Sequence, residues 1–282
     1  MDRLIKAFAY EGQVRLIAAT TSDIVTEALK IHGLSPTATG ALGRFLTAGV
    51  LMGSMLKNET DKLTVIMKGD GPLGNMVVCS DKNAKVKGYA QNPWAEMPLN
   101  TLGKLDVGGI VGHNGMMTVI KDIGLKEPYS GSVQIISGEI GEEFARYFTE
   151  SEQIPSAVAL GVLVNNKGEI PFAGGYILQL MPGVDNAIID MIEGRIQNLK
   201  PFTTLLKEGF TLEEILKSVT GDEDITVLDE IKPEFKCDCS REKMEIAINA
   251  LTEKEKKEII EKEGAIEIKC SFCGKVERWS WM

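Results

Sequence analysis

Apolar residues recur along this 282-residue chain with three different rhythms, and each predicts a different kind of element. Up to residue 182, short β-branched and apolar runs are bounded by Gly, Asn, Asp and Pro, as strands joined by turns are. These runs are LIKAFAY (4–10), QVRLIAAT (13–20), KLTVIMK (62–68), NMVVCS (75–80), KVKGYA (85–90), GMMTVIKD (115–122), GSVQIIS (131–137), AVALGVLV (157–164) and GGYILQLM (174–181). Helices are expected over 22–32, 37–57 and 139–150, the second opened by Ser35 as N-cap and Pro36 at the first helical position. Strands outnumber helices, and several are short-turn neighbours. Residues 1–182 therefore read as one α+β domain with a mixed, largely antiparallel sheet.

The rhythm changes at Pro182-Gly183. Residues 183–235 carry more than twice as many acidic as basic side chains, and Ile189, Ile192, Ile196 and Leu199 recur at helical spacing. Thr211 and Glu214 have capping-box spacing, and Lys200-Pro201 and Gly221 break the pattern. Helices this short are marginal alone and need a surface to pack on, so this segment is expected to be a metastable helical linker. An ordinary helical connector is the plainer reading. Residues 236–282 form a third unit: Thr252 and Glu255 repeat the capping-box spacing, EKEKKEIIEKE reads as a helix ended by Gly264, and AIEIK and VERWSW read as hairpin arms.

Composition narrows the function. A net charge of −9 argues against broad nucleic-acid binding, which needs clustered cations. The N-terminal MDRLIKAFAYEGQVRL has no apolar signal-like run, so a cytoplasmic setting is expected. The apolar stretch 37–56 contains Arg44 and four glycines, which suits a buried helix better than a membrane span. GDGPLG (69–74) matches a dinucleotide-binding fingerprint, but a second strand follows it where a helix would be required, so a hairpin turn explains the same letters. No hydrolytic or metalloprotease signature stands out, and no enzymatic activity is expected.

Four of the five cysteines lie in the last 46 residues, as FKCDCS (235–240) and IKCSFCGK (268–275). A unit this small cannot rest on an apolar core alone, and four thiolates suit tetrahedral zinc. Cys237, Cys239, Cys270 and Cys273 are thus the candidate ligands of one Zn²⁺. The C-x-C pair is tighter than a usual zinc knuckle, and its thiols are close enough to oxidise against each other. Such local bridges close very small loops and add little stability, while expelling the metal, so the site can act as a switch. Lys236, Arg241, Lys269 and Lys275 flank the thiols and would favour the reactive thiolate. Equally, they can be solvated charges offsetting the site's negative charge. Cys79, in an apolar run, is expected to be inert and buried.

The C-x-C, 30 residues, C-x-x-C spacing resembles that of the thirty-three-kilodalton heat-shock proteins, redox-regulated holdase chaperones. GDGPLG, GYAQNP (88–93), the acidic helical connector and the cysteine unit all fit, so the resemblance spans the chain. Trp279 and Trp281 stand where Tyr or Phe is expected. The resemblance implies a reduced, zinc-bound, inactive form. It implies that oxidation joins Cys237 to Cys239 and Cys270 to Cys273, releases zinc and unfolds the linker. Unfolding client proteins are then held without ATP by a homodimer. Neither nucleic acid nor membrane is an expected partner. The main alternative is a constitutive zinc-ribbon adaptor in transcription or translation, which explains Cys₄ but not C-x-C; residues 231–282 carry 11 basic and 11 acidic side chains, with no cationic surplus. A thiol oxidoreductase is a second rival, but it would place C-x-x-C at a helix N-terminus.

Overall fold

The computed structural model describes residues 1–280, so Trp281 lies outside the described residues. In chain order the elements are β1 (Arg3–Ala9), β2 (Val14–Thr20), α1 (Ser22–His32), α2 (Pro36–Gly53), β3 (Lys62–Gly69), β4 (Asn75–Asp81), β5 (Lys85–Ala90), α3 (Val107–Val111), β6 (Gly115–Asp122) and β7 (Tyr129–Gln134). There follow α4 (Ile140–Glu150), β8 (Ser156–Leu163), β9 (Phe172–Leu180), α5 (Asn186–Asn198), α6 (Phe202–Lys207), α7 (Leu212–Thr220), β10 (Thr226–Ile231), β11 (Glu234–Phe235), α8 (Arg241–Asn249), α9 (Glu253–Glu263), β12 (Ile266–Lys269) and β13 (Val276–Trp279). They form two compact units, Met1–Phe235 and the chain from Lys236 onward.

The first unit is α+β, with two sheets ordered β10-β1-β2-β9-β8 and β11-β5-β4-β3-β6-β7. Their pairings are antiparallel except the short β11–β5 contact. Helix α2 packs on strands of both sheets, and from Thr37 to Gly53 every residue but Arg44 is buried. That placement explains its small residues: a Cβ at Gly49 would lie 2.3 Å from Val78. Ser35 caps α2 as expected, accepting from the Ala38 amide. No helix among the described residues is long and apolar enough to cross a membrane.

β1 alternates between two cores. Leu4 joins the cluster around α2, whereas Ile5, Ala7 and Ala9 join a second cluster with Leu205, Leu212, Ile215 and Leu216. The five-stranded sheet is therefore covered on both faces, and residues 183–235 supply one cover. In α5 it is Ile188, Ile192 and Ile196 that pack inward, with Leu199; Ile189 is outside the cluster. Both 188 and 189 have helical spacing to 192, and the docking of α5 on the sheet turns the 188 side inward. The Thr211–Glu214 capping box opens α7, and Gly221 closes it in the left-handed conformation.

Three departures from the sequence expectations have local causes. β10 follows the helices as an edge strand on β1, exposed along almost its whole length, so no burial pattern announced it. β7 stops at Gln134 because the buried Glu143 carboxylate accepts from the amides of Ile136, Ser137 and Gly138. Cys79 is half-exposed on β4, not buried.

The GDGPLG segment is the β3–β4 hairpin turn. The Gly71 amide donates to the Val111 carbonyl and Leu73 to Ile110, so donors that a phosphate would need are already used. A Cβ at Gly69 would lie 2.0 Å from the Val111 carbonyl oxygen, which accounts for the glycine.

Candidate metal centre

The second unit begins at Lys236. Its first cysteine pair lies in an irregular segment just before α8, and Ser240 caps that helix by accepting from the Lys243 amide. Lys243 reaches back to the Asp238 carboxylate at 2.6 Å and donates to its carbonyl at 2.9 Å, closing the C-D-C segment onto the first turn of α8. The predicted capping box at Thr252 and Glu255 opens α9, which Gly264 ends with positive φ. β12 and β13 then pair antiparallel, Lys269 opposite Val276. The second cysteine pair fills the connection. The Cys270 amide donates to the Lys275 carbonyl, and Gly274, at φ +72°, donates back to the Cys270 carbonyl. Left-handed backbone at this turn is what glycine permits without strain.

These elements bring the four sulfurs predicted from the sequence into one group. Sγ of Cys237 lies 3.7 Å from Sγ of Cys270, and Sγ of Cys239 lies 3.3 Å from Sγ of Cys273. All four sulfurs fall within 4.8 Å of one another. Zinc–sulfur bonds of about 2.3 Å in a tetrahedron require sulfur–sulfur edges of about 3.8 Å. A disulfide would need about 2.05 Å, and all four thiols are free. Donor number, donor type and spacing therefore fit one tetrahedral, thiophilic ion.

All four cysteines are half-buried, so a small oxidant can reach them. Burial pushes the Cys237 and Cys239 thiols up, and neighbouring thiols add to this for Cys239. Burial also opposes ionisation of Cys270, but amide hydrogen bonds from Cys273 and Phe272, together with the neighbouring Cys273 and Cys237 thiols, hold that thiol below its ordinary range. Four thiolates in such a group require a compensating cation, and a bound dication reverses the burial effect.

The flanking cations are organised by a residue that motif reading missed. Glu277 accepts from both Arg241 and Lys275 at 2.8 Å. Its hydrogen bond and charge raise Lys275, with Cys239 and Cys273 contributing less. Trp279 is 3% exposed and packs with Met244, Ile248 and Ile266 against Cys239 and Cys270. Arg241 lies over its ring, 4.6 Å from the centroid. A lone glutamate in a charge-rich segment gives no sequence signal of this kind.

Known proteins resemble this chain along nearly its full length. The family model described as "Hsp33 protein" matches residues 2–280. A 33 kDa chaperonin of Clostridium botulinum (strain 657 / Type Ba4) is 49% identical over 279 residues, covering 99% of this chain and 94% of that one. The 33 kDa chaperonin of Clostridium novyi (strain NT) is 50% identical over 273 residues, with 97% and 93% covered. The crystal structure of a 33 kDa chaperonin from Thermotoga maritima superposes with a TM-score of 0.91 at 34% identity, covering 99% of this chain and 94% of that one.

Proposed function

The chain belongs to the Hsp33 family of molecular chaperones, and on that premise we propose that it is an ATP-independent holdase switched by oxidation of a zinc-bound cysteine centre. The observation that carries the proposal is the grouping of Cys237, Cys239, Cys270 and Cys273 within 4.8 Å. In the reduced state these thiolates hold one Zn²⁺, which supplies a cross-link between the segment before α8 and the β12–β13 hairpin. The small apolar cluster around Trp279 then needs that cross-link to stay folded.

On oxidation, Cys237 bonds to Cys239 and Cys270 to Cys273. As each S–S bond forms, the two thiolates pass two electrons to one hydrogen peroxide, whose O–O bond breaks; two protons taken up from solvent complete two waters. The sulfurs then no longer offer four thiolates, and the unit from Lys236 loses its fold. Residues 183–235 end where that unit begins, and their helices are short and amphipathic. With their C-terminal end freed, they loosen from the five-stranded sheet and expose Ile5, Leu16, Leu205 and Ile215, all now buried. Apolar surface of this kind holds non-native chains without reading their sequence. The partners are unfolding client proteins, the active form is a homodimer, and the compartment is the cytoplasm.

The test measures bound zinc and suppression of client aggregation in the same samples, before and after peroxide at mild heat and without ATP. The expected result is about one zinc per chain when reduced, lost as holdase activity appears. Zinc that stays bound through oxidation, or leaves with no gain in activity, would point instead to the constitutive zinc-ribbon adaptor.

A further inference from the structure

We infer that Arg241 is a positioning residue for the metal centre: it fastens the half of the unit that carries Cys237 and Cys239 to the hairpin that carries Cys270 and Cys273, and so governs how fast the ion leaves. The inference rests on the zinc reading above and concerns what else holds the four sulfurs in place.

Arg241 is the first residue of α8, two positions after Cys239. Its guanidinium makes three contacts, all with β13. One nitrogen donates to the Glu277 carboxylate at 2.8 Å and another to the Arg278 carbonyl at 3.1 Å, while Cζ lies over the Trp279 ring, 4.6 Å from its centroid. Trp279 in turn packs in the cluster that includes Cys239 and Cys270. One side chain thus spans from the first cysteine pair to the strand that follows the second.

Other ion pairs described in this unit stay within one half. Asp238–Lys243, Lys256–Glu253 and Lys254–Glu258 lie before the hairpin, and Lys275–Glu277 and Arg278–Glu267 lie inside it. Of the described ion pairs, Arg241–Glu277 is the one that spans the two cysteine pairs, beside the intervening chain, a small apolar cluster and the ion itself. Release of an ion from four ligands is stepwise, and after the first sulfur lets go the site either recloses or opens further. A fastener that keeps the halves in register favours reclosure. Arginine suits this place better than lysine, because its planar fork can stack on an indole and donate twice at once.

The test uses the reduced, zinc-loaded full chain under argon with a dithiol reductant, so that no thiol is oxidised, and follows zinc transfer to a chromophoric chelator. Arg241→Ala is expected to release zinc about tenfold faster. Arg241→Lys, which keeps a charge near Glu277 but loses the stack and the second donor, falls between them. Arg278→Ala, which removes a pair internal to the hairpin, keeps the wild-type rate. Glu277→Gln accelerates release by itself, so the pair stays measurable should Arg241→Ala fail to fold. The double variant Arg241→Ala/Glu277→Gln releases zinc more slowly than the product of the two single effects predicts, since both remove one contact. Equal rates for Arg241→Ala and wild type, or equal acceleration by Arg278→Ala, would overturn the role given to Arg241 and leave the zinc reading standing. A wild-type chain that carries no zinc would overturn the zinc reading itself, and this inference with it.

Discussion

Between Met1 and Phe235 a buried helix lies against two sheets, with Phe45, Phe144 and Tyr147 wholly out of water; beyond Lys236 the buried apolar set among the described residues is Met244, Ile248, Ile266 and Trp279. The first region has enough interior to be held by burial alone. The second has only a small buried cluster, and beside it gathers four sulfurs within 4.8 Å of one another. Residues 183–235 lie between these extremes. Their apolar stripes pack on the sheet, with only Ile192 of the α5 stripe fully buried, while α6 and α7 are short and β10 is exposed. Under the proposed function the end can be lost without the body, and the cover formed by α5–α7 is the part whose response the experiments below test.

That comparison can be broken most severely by taking the metal away. Structural zinc supplies an apparent free energy of about 10–16 kcal/mol in small domains. Chelation of the reduced chain is therefore expected to abolish amide-exchange protection from residue 236 onward while leaving β3, β4 and β6 protected. Equal loss in both regions would mean that the units are not independently held.

Phe45→Ala attacks the other side of the comparison. Removing this buried ring from α2 should cost about 3–5 kcal/mol, read as a lower denaturation midpoint, with zinc content unchanged. Ile215→Ala strikes the cover. Its cost of about 3 kcal/mol should appear as faster amide exchange in 186–220, with the sheets unaffected.

Acid should favour one buried carboxyl of the first unit while it weakens metal binding in the second. Asp2 is buried and accepts from the amides of Asp23 and Ile24, and burial pushes its carboxyl up to about 6 from 3.8. A group whose folded value is raised contributes fully below its unfolded value, and that contribution is lost as pH rises through the folded one. The difference in stability between wild type and Asp2→Asn should therefore shift by about 2 kcal/mol in favour of wild type as pH falls from 7 to 4. Zinc should be held less tightly over the same range, because protons compete for the thiolates.

Arg3→Ala is the mildest of these changes. Arg3 bridges Glu213 on α7 and Glu230 on β10, but it is partly exposed, so the expected cost is about 1 kcal/mol and shrinks with added salt. A salt-independent effect would show that packing, not charge, is what Arg3 contributes there.

Much of this was legible in the letters. All nine strands expected up to residue 182 form, because β-branched and apolar runs bounded by turn residues are a local signal. Both capping boxes form as spaced, because a cap is settled by residues three apart. The C-x-C and C-x-x-C pairs meet as their spacing implied. β10 was not legible, since an exposed edge strand has no apolar rhythm to betray it. Neither was the exposure of Cys79, which depends on which face of β4 turns inward, nor the early end of β7, which depends on a carboxylate nine residues further along.

The sequence by itself determined most of the elements before residue 182, the family and the four thiols, because each is encoded by residue types at short, fixed separations. Tertiary structure alone decided what those elements meet. It laid residues 183–235 over the second face of the five-stranded sheet, chose Ile188 in place of Ile189 for the inward stripe, and set Arg241 across to Glu277 and Trp279, 36 and 38 residues away in sequence. Such contacts depend on how strands register and which faces are left to cover, and no local spacing records that.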